Sequence, residues 1–286
     1  MKKSHKPRLM LVVSMAIFGT LAPFVRNIAV SSGELALYRA CLAALLIGLF
    51  LLLTKQRINF KGLGSDLPLL LLSGIAMGIN WILLFEAYKY TTVAISTLSY
   101  YFAPVIVTVV CPFLFKEKLT KKQILCFVMS TLGLALVIGV TNLGSGGNDL
   151  MGVAFGLGAA VFYAAVILLN KFIKGVAGIH RTFLQFLAAI VILVPYVAFS
   201  GGMTLGSLDM TGWVCLLIVG IVHTGITYCL YFSALKEVPG QAAAILSYID
   251  PLVAVIIGVV VLGEPLSWQQ LLGGGLILGF TLWNEL

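Results

Sequence analysis

The sequence predicts an all-α integral membrane protein of ten transmembrane helices, built as two inverted five-helix repeats. Three observations carry that expectation: a composition too apolar for a soluble core, ten apolar runs long enough to cross a bilayer, and a self-similarity at a fixed offset. Of the 286 residues, 60% are hydrophobic and only 10% charged. A soluble domain is about 45–50% apolar and about 25% charged, so the surplus apolar surface has to face lipid.

A helix needs roughly 20 apolar residues to span the hydrocarbon. The first candidate, about 9–29, follows the basic head Lys2, Lys3, Lys6 and Arg8 and imitates a secretory signal. Its apolar stretch continues to about Val25 and many spans follow, so it is expected to be retained as a helix. Spans at about 34–53 and 67–87 come next, separated by the turn- and charge-rich "TKQRINFKGLGSD" (54–66). Spans at about 92–114 and 122–140 complete a first unit, residues 1–141. "NLGSGGND" (142–149) divides it from a second unit, 150–286. That unit has spans at about 150–170 and 179–199, the turn "SGGMTLGSLD" (200–209), then spans at about 212–232, 241–262 and 267–284.

Basic residues orient the bundle. With the N-terminus cytoplasmic, fifteen of the eighteen Lys and Arg residues fall in inner segments; only Arg26 and Lys89 lie outside, and Arg39 is within the second span. This positive-inside bias puts both termini in the cytoplasm. It also accounts for the net charge of +8 through contact with anionic lipid, so the charge gives no reason to expect a nucleic-acid partner.

The repeat is read at an offset of 147 residues (251 − 104). Without gaps, Phe85 matches Phe232, Ala87 matches Ala234, Lys89 matches Lys236, Tyr101 matches Tyr248 and Pro104 matches Pro251. Glu117, Leu119 and Gln123 likewise match Glu264, Leu266 and Gln270. Five spans is an odd number, so the second unit crosses in the opposite sense. Inverted repeats of this kind typify secondary transporters.

"YYFAPVIVTVVCPFLFKEKLTKKQ" (100–123) and "SYIDPLVAVIIGVVVLGEPLSWQQ" (247–270) both resemble the signature of the drug/metabolite transporter superfamily, EamA type. Shared features are a mid-helix proline, an apolar run, and a glutamate followed by Leu-Thr/Ser and a glutamine. Arg39 in "LALYRACLAALL" and Phe18-Gly19 also resemble the family pattern, and the likeness covers essentially the whole chain. It implies a ten-helix carrier with a central cavity, often an exporter of amino acids or related metabolites, without fixing a substrate. One departure is that Pro104 follows Ala103 whereas Pro251 follows Asp250.

Ionisable residues near the bilayer centre cost at least about 2.5–3.5 kcal/mol and normally face a cavity or a partner. Asp250 and His223 both fall near the middle of their spans, while their repeat equivalents, Ala103 and Ala76, are apolar. They are candidates to meet across adjacent helices, binding a substrate ammonium or carrying a coupling proton; alternatively they pair only to fix helix packing. Arg39 either holds a substrate carboxylate or pairs with Glu34 or Glu86, and the positions favour pairing. Trp81, Asn80, Tyr100, Tyr101 and Tyr248 lie deep enough to line a cavity or simply to pack helices. Pro104 and Pro251 are candidate hinges, though proline is common in membrane helices.

Gly74-x-x-x-Gly78, Gly152-x-x-x-Gly156 and Gly275-x-x-x-Gly279 allow close helix approach within the monomer or across a homodimer contact. The five cysteines lie singly in apolar runs, with no metal-ligand spacing. The chain has no Gly-Lys dipeptide and hence no phosphate loop for ATP hydrolysis, and no His-Glu-x-x-His or Gly-x-Ser-x-Gly motif. No cofactor is expected. The expected function is secondary transport of a small organic metabolite, an amino acid or related compound, exported across the cytoplasmic membrane by alternating access. The alternatives are an organic-cation or drug efflux carrier and, more remotely, a membrane-embedded enzyme or sensor.

Overall fold

The computed structural model describes residues 6–56, 63–115, 120–138, 148–176, 178–200, 203–235, 238, 246–247 and 249–286; among these the chain is helical, with no strand. Six helices are long and apolar enough to cross a membrane: Lys6–Arg26, Ser32–Leu53, Asp66–Tyr90, Asp149–Asn170, Gly178–Phe199 and Met210–Tyr231. Shorter apolar helices lie at Val93–Val107 and Ile249–Val260. Leu45, Leu52, Phe199 and Val260 are among the exposed large apolar side chains, as expected where the solvent is lipid tails.

Local chemistry decides where the helices start and break. The first span is divided into α1 (Lys6–Gly19) and α2 (Leu21–Arg26). The hydroxyl of Thr20 donates to the Ile17 carbonyl at 2.8 Å, a side-chain bond that competes with the helical ladder. α3 (Ser32–Leu53) opens on a capping box: Ser31 Oγ accepts from the Glu34 N–H and Glu34 accepts from the Ser31 N–H, both at 3.1 Å. α4 (Leu63–Tyr90) is followed by α5 (Val93–Tyr100), α6 (Ala103–Phe115) and α7 (Lys121–Ile138). Pro104 occupies the first turn of α6, where a missing N–H leaves no bond unmade. The fourth expected span is therefore two helices joined at Tyr101–Phe102 rather than one kinked rod. Pro251 lies in α12 (Ile249–Val260), which follows α8 (Asn148–Phe172), α9 (Gly178–Phe199), α10 (Met210–Leu217) and α11 (Thr227–Leu235). α13 (Trp268–Glu285) begins with a second capping box, Ser267 with Gln270.

Between α10 and α11 the helix widens into a π segment, Ile218–Ile226. The hydroxyls of Thr224 and Thr227 donate to carbonyls five residues back, on Val219 (2.8 Å) and Val222 (2.7 Å). Such widenings are rare and occur frequently at functional sites. The segment packs on α3, where a methyl added to Gly220 or Gly225 would strike Leu42 or Leu46.

α4 packs on α8 and α9, α3 on α9 and on the π segment, α1 on α11 and α12, α5 on α8 and α12, and α7 on α13. The principal core surrounds α3 and includes Ile47, Phe85, Phe186 and Leu193.

Candidate functional site

A cavity of about 440 Å³ opens among α1, α3, α4, α5, α6, α8, α9, α11 and α12. Two residues of opposite charge line it, Arg39 and Asp250. Arg39 is 3% exposed. Its Nε donates to Thr224 Oγ1 at 2.9 Å. Because the Thr224 proton is committed to the Val219 carbonyl, a lone pair of that oxygen is left for the guanidinium. The guanidinium carbon lies 4.7 Å from the centre of the Trp81 ring and 5.4 Å from that of Phe85, cation–π distances for a desolvated cation.

The expected pairing of Arg39 with a carboxylate is not what the structure has. Glu34, 1% exposed, takes the backbone N–H and hydroxyl of Thr204, the Ser31 N–H and the Tyr38 hydroxyl. Glu86 pairs with Lys89 at 3.2 Å, one turn along α4. Among the described residues no carboxylate reaches Arg39. Its two Nη groups form the fork geometry that receives a carboxylate end-on.

Asp250 accepts a 2.6 Å hydrogen bond from the Tyr101 hydroxyl. Gly19 lets α12 come this close to α1, since a Cβ there would lie 2.6 Å from the Asp250 carbonyl oxygen. Tyr100 also lines the cavity and stacks on Tyr163, ring centres 5.1 Å apart. Trp81, Phe186, Tyr228 and Phe18 continue the aromatic wall edge to face at 5.2–5.4 Å.

His223 and Asp250 do not meet. His223, 2% exposed, lies outside the cavity lining. Its Nε2 is 3.0 Å from Thr20 Oγ1 and its ring packs on Phe24, so it ties the π segment to the α1–α2 turn. Asn80 also lies apart from the cavity, donating to the Ala159 carbonyl at 2.7 Å and joining α4 to α8. Tyr248 lies outside the described residues. Two of the glycine pairs are internal contacts: Gly74 faces Ala188 on α9, and Gly156 faces Ser99 on α5.

Sequence reasoning missed part of the lining. Tyr163, Tyr228, Tyr231, Asn170, Thr182 and Gln185 all face the cavity. Asn170 and Gln185 carry the same signal that singles out Asn80, an uncharged amide within an apolar span.

Where α2 and α4 stop and α5 and α8 start, polar bonds close the bundle. Glu264 forms a 2.6 Å ion pair with Arg26 and accepts the Val93 N–H at 2.7 Å. Arg26 also donates to the Thr91 carbonyl (3.1 Å), and the Thr91 hydroxyl donates to Asp149 (2.6 Å). A second cavity of about 670 Å³ lies at this end, with Arg26, Lys89, Asp149 and Glu264 in its walls.

Known proteins place this geometry in a lineage. Residues 6–139 and 150–284 each match the model of the EamA-like transporter family. The chain is 32% identical over 274 residues to the uncharacterized transporter YxxF of Bacillus subtilis (strain 168), covering 95% of this chain and 87% of that one. It is 29% identical over 281 residues to an uncharacterized transporter of Archaeoglobus fulgidus, covering 96% and 95%. The threonine/homoserine exporter RhtA of Escherichia coli (strain K12) is 31% identical over 140 residues, 48% of this chain and 46% of its own. A solved crystal structure shares the fold with a TM-score of 0.67 at 16% identity, covering 96% of this chain and 94% of the other. The chain is a multi-pass membrane protein of the drug/metabolite transporter superfamily, a transporter rather than an enzyme, and it belongs to the EamA-like transporter family.

Proposed function

We propose that the protein is a secondary carrier that exports a small zwitterionic metabolite, an amino acid or close relative, across the cytoplasmic membrane by alternating access. The observation that carries this reading is Arg39, a buried cation in the cavity wall with no carboxylate partner among the described residues. An uncompensated buried charge is destabilising unless its counter-ion arrives with the ligand. Asp250 in the same cavity offers the opposite charge for an ammonium group. The relative RhtA, a threonine/homoserine exporter, agrees with that substrate class.

Two five-helix units, 1–141 and 150–286, in opposite orientation would supply the motion. Several features support the repeat. α7 and α13 begin and end 147 residues apart (268 − 121 and 285 − 138). Thr120 with Gln123 repeats the reciprocal cap of Ser267 with Gln270 at the same offset. Helices made equivalent by the offset pack on each other, α3 on α9 and α7 on α13, as they do beside a two-fold axis. The Arg26–Glu264 and Thr91–Asp149 bonds join one unit to the other and would close the outer side. In this reading, with ten spans and both termini cytoplasmic, that closure lies on the outer face.

The tyrosines beside Asp250 favour a second reading, an organic-cation efflux carrier. The two readings separate in proteoliposomes offered an amino acid and the amine formed by its decarboxylation. The carrier proposed here moves the acid and rejects the amine, and Arg39→Gln loses the acid. Transport of the amine alone, unaffected by Arg39→Gln, supports the cation carrier instead.

A further inference from the structure

Gln185, Asn170 and Ser73 join α9, α8 and α4 at one wall of the cavity. The Gln185 amide nitrogen donates to Ser73 Oγ at 2.6 Å and to Asn170 Oδ1 at 2.8 Å. Both of its N–H groups are thereby committed. The close approach that allows this comes from Gly74, where a Cβ would lie 2.6 Å from the Gln185 carbonyl oxygen. What remains is half of each amide: Gln185 Oε1 as an acceptor and the Asn170 NH2 as a donor, neither with a protein partner among the described residues. Gln185 is 2% exposed, yet both residues line the cavity. Most buried polar groups are paired, so a buried amide in the cavity wall that keeps an unpaired carbonyl oxygen offers that oxygen to whatever fills the cavity. Turning both amides over changes nothing, since one carbonyl and one NH2 would still face inward.

We infer that Asn170 and Gln185 form a side-chain subsite that selects substrates carrying a neutral group able both to donate and to accept a hydrogen bond, a hydroxyl or a carboxamide. The inference rests on the carrier reading above and adds to it what the substrate's side chain bears. A carboxylate there would meet the lone pairs of the Gln185 carbonyl, and an ammonium would meet the Asn170 NH2. An apolar side chain would leave both halves unpaired. The subsite lines the same cavity as the charged pair. Asn170 is seven residues along α8 from Tyr163, about 10 Å at 1.5 Å per residue. Gln185 adjoins Phe186, whose ring contacts Trp81 beneath Arg39.

The test is competition in proteoliposomes carrying the full chain, using isosteric pairs: threonine against valine and asparagine against leucine. The wild type should favour threonine and asparagine by roughly tenfold or more, because a site built to hydrogen-bond a substrate group rejects the analogue lacking it. Asn170→Leu should abolish that preference, bringing the threonine-to-valine and asparagine-to-leucine ratios to about one in the same competition assay, whatever its absolute rates. Gln185→Leu should do the same but also strips Ser73 of its partner, so Asn170→Leu decides if the other variant fails to fold. Equal transport of both members of each pair by the wild type overturns the subsite and leaves the carrier reading standing. Discrimination that survives Asn170→Leu overturns it too. A folded wild type that moves no amino acid at all overturns the carrier's substrate class, and the subsite with it.

Discussion

Arg39 lies against the Trp81 and Phe85 rings with one Thr224 hydroxyl for company, an arrangement poor for stability and well suited to receiving an anion. Removing a buried charge that has no protein partner relieves its desolvation. Arg39→Met should therefore melt no lower than wild type. It should lose substrate affinity by roughly 30-fold, the equivalent of about 2 kcal/mol for a hydrogen bond to a charged group. Thermal unfolding and ligand binding on the same preparation check both halves; a large drop in melting temperature with affinity intact would give Arg39 a structural role. The charged residues were legible because a charge in an apolar run stands out in sequence. Arg39 and Asp250 do line one cavity. The partners were not legible. Thr20 for His223, Ala159 for Asn80 and Tyr101 for Asp250 come from other helices, and no spacing along the chain encodes those contacts. Which amides and tyrosines face the cavity was not legible either: Asn80 does not, while Asn170, Gln185 and Tyr163 do.

At the scale of elements, the site depends on helix interruptions. The α1–α2 turn at Thr20, the α5–α6 break ahead of Pro104 and the π segment around His223 and Thr224 each turn polar groups toward a neighbour. Pro104 announced a break in the sequence; the π segment did not, because its nine residues, IVGIVHTGI, read as ordinary apolar helix. Close approach at Gly19 is the feature most exposed to substitution. Gly19→Val would push side-chain atoms into Val253 and the Asp250 carbonyl, an overpacking that costs about 1–3 kcal/mol, and would carry Asp250 away from Tyr101. Its melting temperature should fall by several degrees and its transport with it. The Arg26–Glu264 pair yields a different expectation. Glu264→Gln keeps an acceptor for the Val93 N–H but discharges the partner of Arg26, so the closed end should open more often. A cysteine replacing Thr92, in an otherwise cysteine-free protein, should then react several-fold faster with an impermeant thiol reagent; an unchanged rate would remove the pair from the closure.

On the scale of the whole molecule, the helical membrane class was legible in apolar length: the described residues form helices and no strand, and six helices are long and apolar enough to span. Where a span is interrupted, length alone misjudged it, because caps, a first-turn proline and threonine back-bonding set the real boundaries. The carrier reading unites the parts: two units meet around one cavity, bonds between them close one end, and the charges lining the cavity await a zwitterion. The most direct measurement is proteoliposome transport of a mixed amino-acid and organic-cation panel by wild type and by Asp250→Asn, with folding monitored in parallel. The account predicts that at least one amino acid moves with the wild type and that the folded Asp250→Asn protein loses that transport by tenfold or more. Transport that continues at the wild-type rate in Asp250→Asn would contradict it, making Asp250 a packing residue and removing one of the two charges on which the site is built.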